Sequence, residues 1–317
     1  MNLKKRIAFL ASILTVIGIN HLSSQDQNIT ISSKSNSDNS VDISYRKELP
    51  GSYYVSLEFT TLRNSYPTRF EGVIKDKSGS LLRLKPIDSD KRINYGYSYT
   101  TTRGVPNPKI DSEFTYALPF QHGKKVLIKE AYNVGEKHFG SERPSNWKYY
   151  IVDSKSADTI CSMRKGIVVE IKNEFREDTT FEKTYTSDRN SMVIEHDDGT
   201  YASYKGFRKN TFLVELGQTV YPNTKLGVMD IFNKDNYRID FAIYYLIDTD
   251  FKHRKNQTLS NAKSLYEYLN PYFITQNGIK KMESRNEYTA KMNESILFQE
   301  FSKRERKKYI KDTELFE

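Results

Sequence analysis

Short runs of β-branched and aromatic residues, cut at intervals by glycine, proline and asparagine, constrain this chain more than any other feature. Gly166-Ile-Val-Val-Glu-Ile, Ser191-Met-Val-Ile-Glu-His and Phe241-Ala-Ile-Tyr-Tyr-Leu are apolar at most positions, as central strands of a packed antiparallel sheet should be. Tyr53-Tyr-Val-Ser-Leu-Glu-Phe-Thr-Thr, Phe70-Glu-Gly-Val-Ile and Leu81-Leu-Arg-Leu alternate apolar and polar residues, the two-residue period of half-buried strands. Tyr95-Gly-Tyr-Ser-Tyr-Thr-Thr-Thr is β-prone through its rings and branched side chains. Lys77-Ser-Gly-Ser, Ser89-Asp-Lys and Gly104-Val-Pro-Asn-Pro supply the turns between them. The expected fold is therefore mainly β. A β-sandwich-like domain should cover residues 41–115, and an antiparallel β-sheet domain should cover 116–250. Strand spacing leaves the topology of the sandwich open.

The two ends read differently. Lys4-Lys5-Arg6 precedes an apolar run over residues 7–19, and a polar stretch follows. This is the pattern of a secretory signal peptide over 1–24, with an uncleaved anchor as the alternative. No cysteine stands just after the run to carry a lipid. Residues 25–40 are rich in Ser, Asn, Asp and Gln and are expected to be a disordered linker. The chain is thus expected to be exported, to the periplasm or beyond, with no transmembrane span after signal cleavage. The C-terminal extension, 251–317, suggests a short helix over 260–270, ended by Asn270-Pro271. Its last part is dense in charge, and Ile296, Leu297, Phe298 and Phe301 would line one face of a basic terminal helix. That helix reads as a solvated element or as a docking segment for a partner or an anionic surface.

Net charge is +9, from 49 basic and 40 acidic side chains. Spread along the chain, it supports weak attraction to anionic envelope polymers without demanding nucleic acid. Cys161 is the sole cysteine, so no internal disulfide can form. Within Thr159-Ile-Cys161-Ser-Met it reads as a small apolar filler of a buried strand.

Three pieces then follow in order: Tyr149-Tyr-Ile-Val-Asp153, Asp198-Gly-Thr-Tyr-Ala-Ser-Tyr204-Lys-Gly206-Phe207, and Arg238-Ile-Asp240-Phe-Ala-Ile243. Between the last two lies Val214-Glu-Leu-Gly217-Gln-Thr-Val220, leading to Leu226-Gly227-Val. This order resembles the lysostaphin-type (LytM-like) zinc metallopeptidases, which cut peptide cross-links in peptidoglycan. Upstream, Tyr116-Ala-Leu-Pro-Phe and Ala131-Tyr-Asn-Val-Gly-Glu-Lys-His138 resemble the beginning of exported members, so the likeness spans about residues 116–246. In that family the pieces read His-x-x-x-Asp, Gly-Tyr-x-x-x-Tyr-x-His-Leu and His-x-His-Phe-Glu, with two histidines and an aspartate on zinc.

The resemblance implies a degenerate site. Asp153 matches the aspartate, but Tyr149 stands where the first histidine belongs, Gly206 where the base belongs, and Arg238 and Asp240 where the last two histidines belong. Glycine has no side chain, and arginine stays protonated and binds no cation. Two residues apart on one strand, Arg238 and Asp240 are expected to pair with each other. His196, in Val193-Ile-Glu-His196-Asp-Asp-Gly199, resembles a hairpin histidine outside the metal shell and is expected to be structural. His122 and His253 are expected to be exposed. Tyr201, Tyr204, Arg208 and Tyr237 flank the site as candidates for holding a wall peptide or glycan.

No Gly-x-Ser-x-Gly, Cys–His pairing or phosphate-cradling glycine loop offers other chemistry. The expectation is an exported envelope protein with an inactive endopeptidase-like domain, needing no cofactor and binding peptidoglycan or an envelope protein. The alternative is a zinc metalloendopeptidase with an atypical site of His138, Asp153 and Asp240.

Overall fold

The computed structural model describes residues 28–132, 146–176, 188–234, 236–247 and 264–313. The expected signal peptide, His138, His253 and residues 260–263 of the expected helix lie outside them. Among the described residues the fold is mainly β, with largely antiparallel sheets and short helices in the C-terminal part.

The first unit holds six strands: β1 (Ile29–Ser35), β2 (Val41–Lys47), β3 (Tyr53–Arg63), β4 (Arg69–Ile74), β5 (Ser78–Leu84) and β6 (Asn94–Arg103). They form two three-stranded sheets, ordered β1-β2-β5 and β4-β3-β6. Alternation on β2 and β3 sends Val41, Ile43, Val55 and Leu57 into a shared core with Ile29, Ile31, Leu84 and Ile93. Residues 25–40, expected to be disordered, instead contain β1. Its polar composition hides an apolar edge: Ile29 and Ile31 are buried while Thr30 and Ser32 face water, and β1 pairs with β2 along its full length.

The second unit is a large sheet. Its path runs β14 (Thr219–Val220), β11 (Gly166–Lys172), β12 (Asn190–Glu195), β13 (Tyr201–Phe207), β17 (Asn236–Leu246), β9 (Tyr150–Ser154), β8 (Lys125–Glu130) and β21 (Glu287–Thr289). Two further strands, β16 (Asp230–Asn233) and β18 (Tyr266–Tyr268), also pair with β17. One face of this sheet is sealed by β7 (Thr115–Ala117), β10 (Thr159–Cys161), β15 (Lys225–Val228) and β19 (Tyr272–Thr275), which share its main core. Cys161 lies in that layer, fully buried, and burial pushes its thiol up to about 12. It behaves as an inert apolar filler.

The sandwich docks against the other face. There Val169, Val193 and Tyr201 are buried together, and Tyr244 packs on them. Glu195 accepts the Ser52 backbone N–H at 2.7 Å, Arg103 pairs with Glu170, and Tyr266 donates its hydroxyl to the Arg103 carbonyl. Gly51, with φ +90°, lies so close to Val169 and Glu195 that a Cβ would overlap both.

The C-terminal part departs from expectation. Tyr266–Tyr268 is a strand, because its rings pack on Tyr244 while its backbone pairs with the end of β17. Beyond it, β19 and β20 (Gly278–Lys281) form a hairpin, and β19 runs parallel to β7. Only then come two helices, α1 (Glu294–Leu297) and α2 (Lys303–Lys311), linked by a 3-10 turn over Phe298–Glu300. Ile296, Leu297 and Phe301 are buried, so the expected apolar face exists, divided between α1 and the linking turn.

Leu57 is fully enclosed in the sandwich core. Leu57→Ala is expected to lower unfolding stability by about 2–5 kcal/mol through the cavity it leaves. Urea denaturation measures this loss.

Candidate functional site

Strand register brings the motif residues to one face of the sheet. Across β17 and its neighbours, Arg238 stands opposite Asp153, Asp240 opposite Ile151, and Lys205 opposite Asp240. Opposed residues share a face, as do residues two apart on one strand. Lys205, Arg238, Asp240 and Asp153 therefore project to one side, while Ile239 and Phe241 enter the main core on the other.

The side chains on that face form a ladder of ion pairs. Arg238 grips Asp153 in a forked contact, Nε to Oδ1 at 2.6 Å and Nη2 to Oδ2 at 3.2 Å. Lys129 reaches the same carboxylate at 2.8 Å. Arg189, one residue before β12, donates to Asp240 Oδ2 at 2.6 Å and to the Arg238 carbonyl at 2.6 Å. Phe232 lies beneath both guanidinium groups, 3.9 Å from that of Arg238 and 5.1 Å from that of Arg189, a cation–π arrangement. The pairing expected between Arg238 and Asp240 is thus corrected. Each has another partner, because Asp153 lies directly across from Arg238 and Arg189 arrives from outside the motif.

Gly206 explains how Arg189 fits. Its φ is +121°, and a Cβ there would run into the Arg189 guanidinium and the Arg238 carbonyl. The place where the resembled pattern carries a histidine is filled by a guanidinium, and the backbone beneath it suits glycine. Arg189 carries no motif, so sequence reasoning missed it.

The electrostatics follow from burial and these partners. Burial alone would raise Asp153, but hydrogen bonds and charge from Arg238 and Lys129 hold its carboxyl below the usual range. Burial drives Asp240 upward against Arg189, Arg238 and Lys205, and its Oδ1 has no hydrogen-bond partner among the described residues. Burial, then the nearby Asp240, push the Tyr149 phenol upward, so it stays protonated.

A divalent metal needs deprotonated ligands with open lone pairs and an open position for water. Here both Asp153 oxygens are held by cations, Asp240 is tied to Arg189, and Arg238 supplies positive charge. Among the described residues no three His, Cys, Asp or Glu side chains gather as a metal group. These residues do not fit a zinc ion, and His138 lies outside the described part.

The other candidates fall elsewhere. Tyr204 is buried in the main core, its hydroxyl accepting the Met163 N–H at 3.0 Å. Tyr201 is buried under the sandwich and stacks on Tyr244. Neither lines a groove, because the strand period points Tyr204 inward and the docked sandwich covers Tyr201. Tyr237 is half-buried, with the Arg208 guanidinium 5.8 Å from its ring. His122 is exposed and accepts the Met292 N–H.

His196 is buried, its Nδ1 2.8 Å from the Thr200 hydroxyl and its Nε2 without a hydrogen-bond partner among the described residues. Burial, with the charge of Arg164 added, pushes it down to about 3 against the pull of Asp198. Arg164 is itself buried between Asp198 at 2.7 Å and Glu300, bound through two contacts at 3.0 and 2.7 Å. Its guanidinium lies 3.7 Å from the Phe114 ring centre.

A separate cleft of about 300 Å³ is lined by Asp111, Phe114, Trp147, Lys148, Tyr268 and Asn270 among others. Trp147 stacks on Tyr149, which links the cleft to the motif strand.

No protein-family model matches this chain, and no curated protein sequence matches it either. Among solved structures, a protein assigned to peptidase family M23 from Pseudomonas aeruginosa shares 11% identity over 62% of this chain and 83% of its own, with a TM-score of 0.27. A zinc-containing peptidase from Vibrio cholerae shares 15% identity over 69% of this chain and 80% of its own, with a TM-score of 0.25. Csd3 of Helicobacter pylori shares 10% identity over 92% of this chain and 79% of its own, with a TM-score of 0.28. Likenesses this loose assign no family.

Two outcomes follow from the site. Gly206→His forces a side chain against Arg189 and a positive φ on a histidine, and is expected to cost at least about 3 kcal/mol. Adding Arg189→Ala should recover only part of that loss in denaturant titrations. His196, neutral when folded and with an ordinary value of 6.5, gives stability that is complete above that pH and declines as pH falls toward about 3. The slope is at most about 1.4 kcal/mol per pH unit. Melts between pH 7 and pH 5 should show it, and His196→Gln should flatten it.

Proposed function

We propose that this chain is a non-catalytic protein of the cell envelope, built on a lysostaphin-type peptidase framework and acting by binding peptidoglycan. The observation that carries this reading is the occupation of the motif face by Arg189 and Arg238. A zinc peptidase polarises water with an open metal position and moves its proton with a nearby imidazole. Two guanidinium groups bound to carboxylates, with glycine at the position of the base, offer neither. Losing one such base or stabiliser ordinarily slows a reaction by about two to four powers of ten.

Binding is assigned to the cleft beside Trp147. It is large enough for part of a glycan or stem peptide, and it combines ring edges with Asp111, Asn146, Lys148 and Lys281, the mix of apolar wall and sparse polar groups typical of ligand sites. Export rests on the charged and apolar beginning of the sequence.

Three measurements test the proposal. Purified protein should contain no stoichiometric zinc, and it should clear no band in a cell-wall zymogram; one zinc per chain together with lysis would overturn the reading. It should sediment with isolated peptidoglycan sacculi, and Trp147→Ala should weaken that retention by about tenfold. Retention unchanged by Trp147→Ala would move the binding site away from the cleft.

A further inference from the structure

We propose that α2 is a docking element for a membrane surface bearing anionic lipid headgroups. Its nine residues, Lys-Arg-Glu-Arg-Lys-Lys-Tyr-Ile-Lys, contain six cations and one carboxylate. That carboxylate, Glu305, is spent on holding the helix in place. It pairs with Lys165 at 2.9 Å, accepts from the Tyr221 hydroxyl at 3.0 Å, and closes a capping box with Ser302. Burial alone would raise it, but these partners hold it down to about 2. On the same side, Tyr309 packs edge-on against Phe298 and Phe301. Next to this anchor, Glu300 binds the buried Arg164.

The opposite side is a stripe of positive charge. Arg304, Lys307, Lys308 and Lys311 recur at i, i+3, i+4 and i+7, so they line one helix face over about 10 Å. All four are exposed, and none forms an ion pair with a described residue. Like charges at these spacings repel, yet the anchors present them in fixed array. A helix that only had to be solvated would gain from acidic partners at i+4; within the nine residues of α2, Arg304 and Lys307 are followed at that spacing by further lysines, Lys308 and Lys311, and Asp312 stands four residues after Lys308 only where the helix ends.

Ile310 selects a lipid surface over a soluble polyanion. It is 81% exposed, flanked by Lys307 and Lys311 in a shared shallow hollow. A polyanion in water gives that side chain nothing. At headgroup depth its apolar surface leaves water while the neighbouring ammonium groups stay at the phosphates. Each cation near an anionic leaflet strengthens binding by about fivefold at moderate salt.

The test uses the full chain and sedimentation with phosphatidylcholine vesicles, with or without about 30 mol per cent phosphatidylglycerol. Binding is expected only to the anionic vesicles, falling at least tenfold between about 0.1 M and about 0.5 M salt. Substituting Arg304, Lys307, Lys308 and Lys311 together by Gln should abolish it. The charge-matched substitution of Lys34, Lys75, Lys77 and Lys85 by Gln, all exposed on the sandwich, should leave it within about twofold. Ile310→Ser should weaken it about threefold. Equal loss from both quadruple variants would reduce the effect to net charge and overturn the proposal. So would binding by inorganic polyphosphate that matches vesicle binding and ignores Ile310→Ser, since the stripe would then belong to a polymer. Sacculus retention is read separately, so failure here leaves the wall-binding proposal standing, and the reverse.

Discussion

Arg238 and Asp153, facing each other across β17 and β9, form the contact on which the motif face depends. A forked guanidinium–carboxylate pair places two directional hydrogen bonds between adjacent strands, and Lys129 adds a third to the same carboxylate. Such a pair gains little over a well-packed apolar substitute, but removing one partner typically costs about 3–5 kcal/mol by stranding a partly buried charge. The Arg238 carbonyl then accepts from Arg189, which turns to Asp240. Each charge therefore fixes the next, and Phe232 supplies an apolar floor beneath both guanidinium groups. The face is a network in which Arg238, Asp153, Arg189 and Asp240 are each held by another member.

A second network does for the C-terminal part what the first does for the motif strands. Arg164 joins Asp198 at the β12–β13 hairpin to Glu300 in the turn before α2. His196 in the same hairpin stays neutral beside it, since a second positive charge there would meet both burial and Arg164. The C-terminal residues are thus part of the fold, with β19 in the main core and the helices clamped to the hairpin. This is why a short, highly charged helix such as α2 can keep a defined orientation with little apolar contact of its own.

Much of this was legible in the sequence, and the failures have physical causes. Apolar runs such as Phe241-Ala-Ile-Tyr-Tyr-Leu gave central strands because burial on both faces leaves a continuous signal. Cys161 and His196 were read as structural from apolar or hairpin surroundings, and both are buried. Alternation was overlooked in β1, where only Ile29 and Ile31 face inward amid polar residues. Tyr266–Tyr268 and β19 belong to partners far away in sequence, which local propensity cannot supply. Tyr204 is expected at the groove but enters the main core, on the face opposite its neighbour Lys205, and Gly206 meets Arg189 only because the register between β12 and β13 shifts there. Arg189 was invisible because a long side chain reaching across a glycine leaves no pattern at its own position; the positive φ of Gly206 was its only trace.

A metal ion and a guanidinium solve the same electrostatic problem for carboxylates gathered on a sheet face. Each supplies concentrated positive charge and restrains the strands that carry them. They differ in what remains for solvent. A zinc ion with three protein ligands keeps a position where water binds and loses a proton near neutral pH. A guanidinium is planar, keeps its protons, and once its N–H groups are engaged has no vacant valence to offer. Asp153 and Asp240 are accordingly held by Arg238 and Arg189 in a geometry that serves cohesion, and the Oδ1 of Asp240 is the one carboxylate oxygen of this pair without a hydrogen-bond partner among the described residues. With both carboxylates of the motif face held by guanidinium groups, the recognition proposed for this chain is placed on other surfaces, the aromatic cleft at Trp147 and the cationic side of α2.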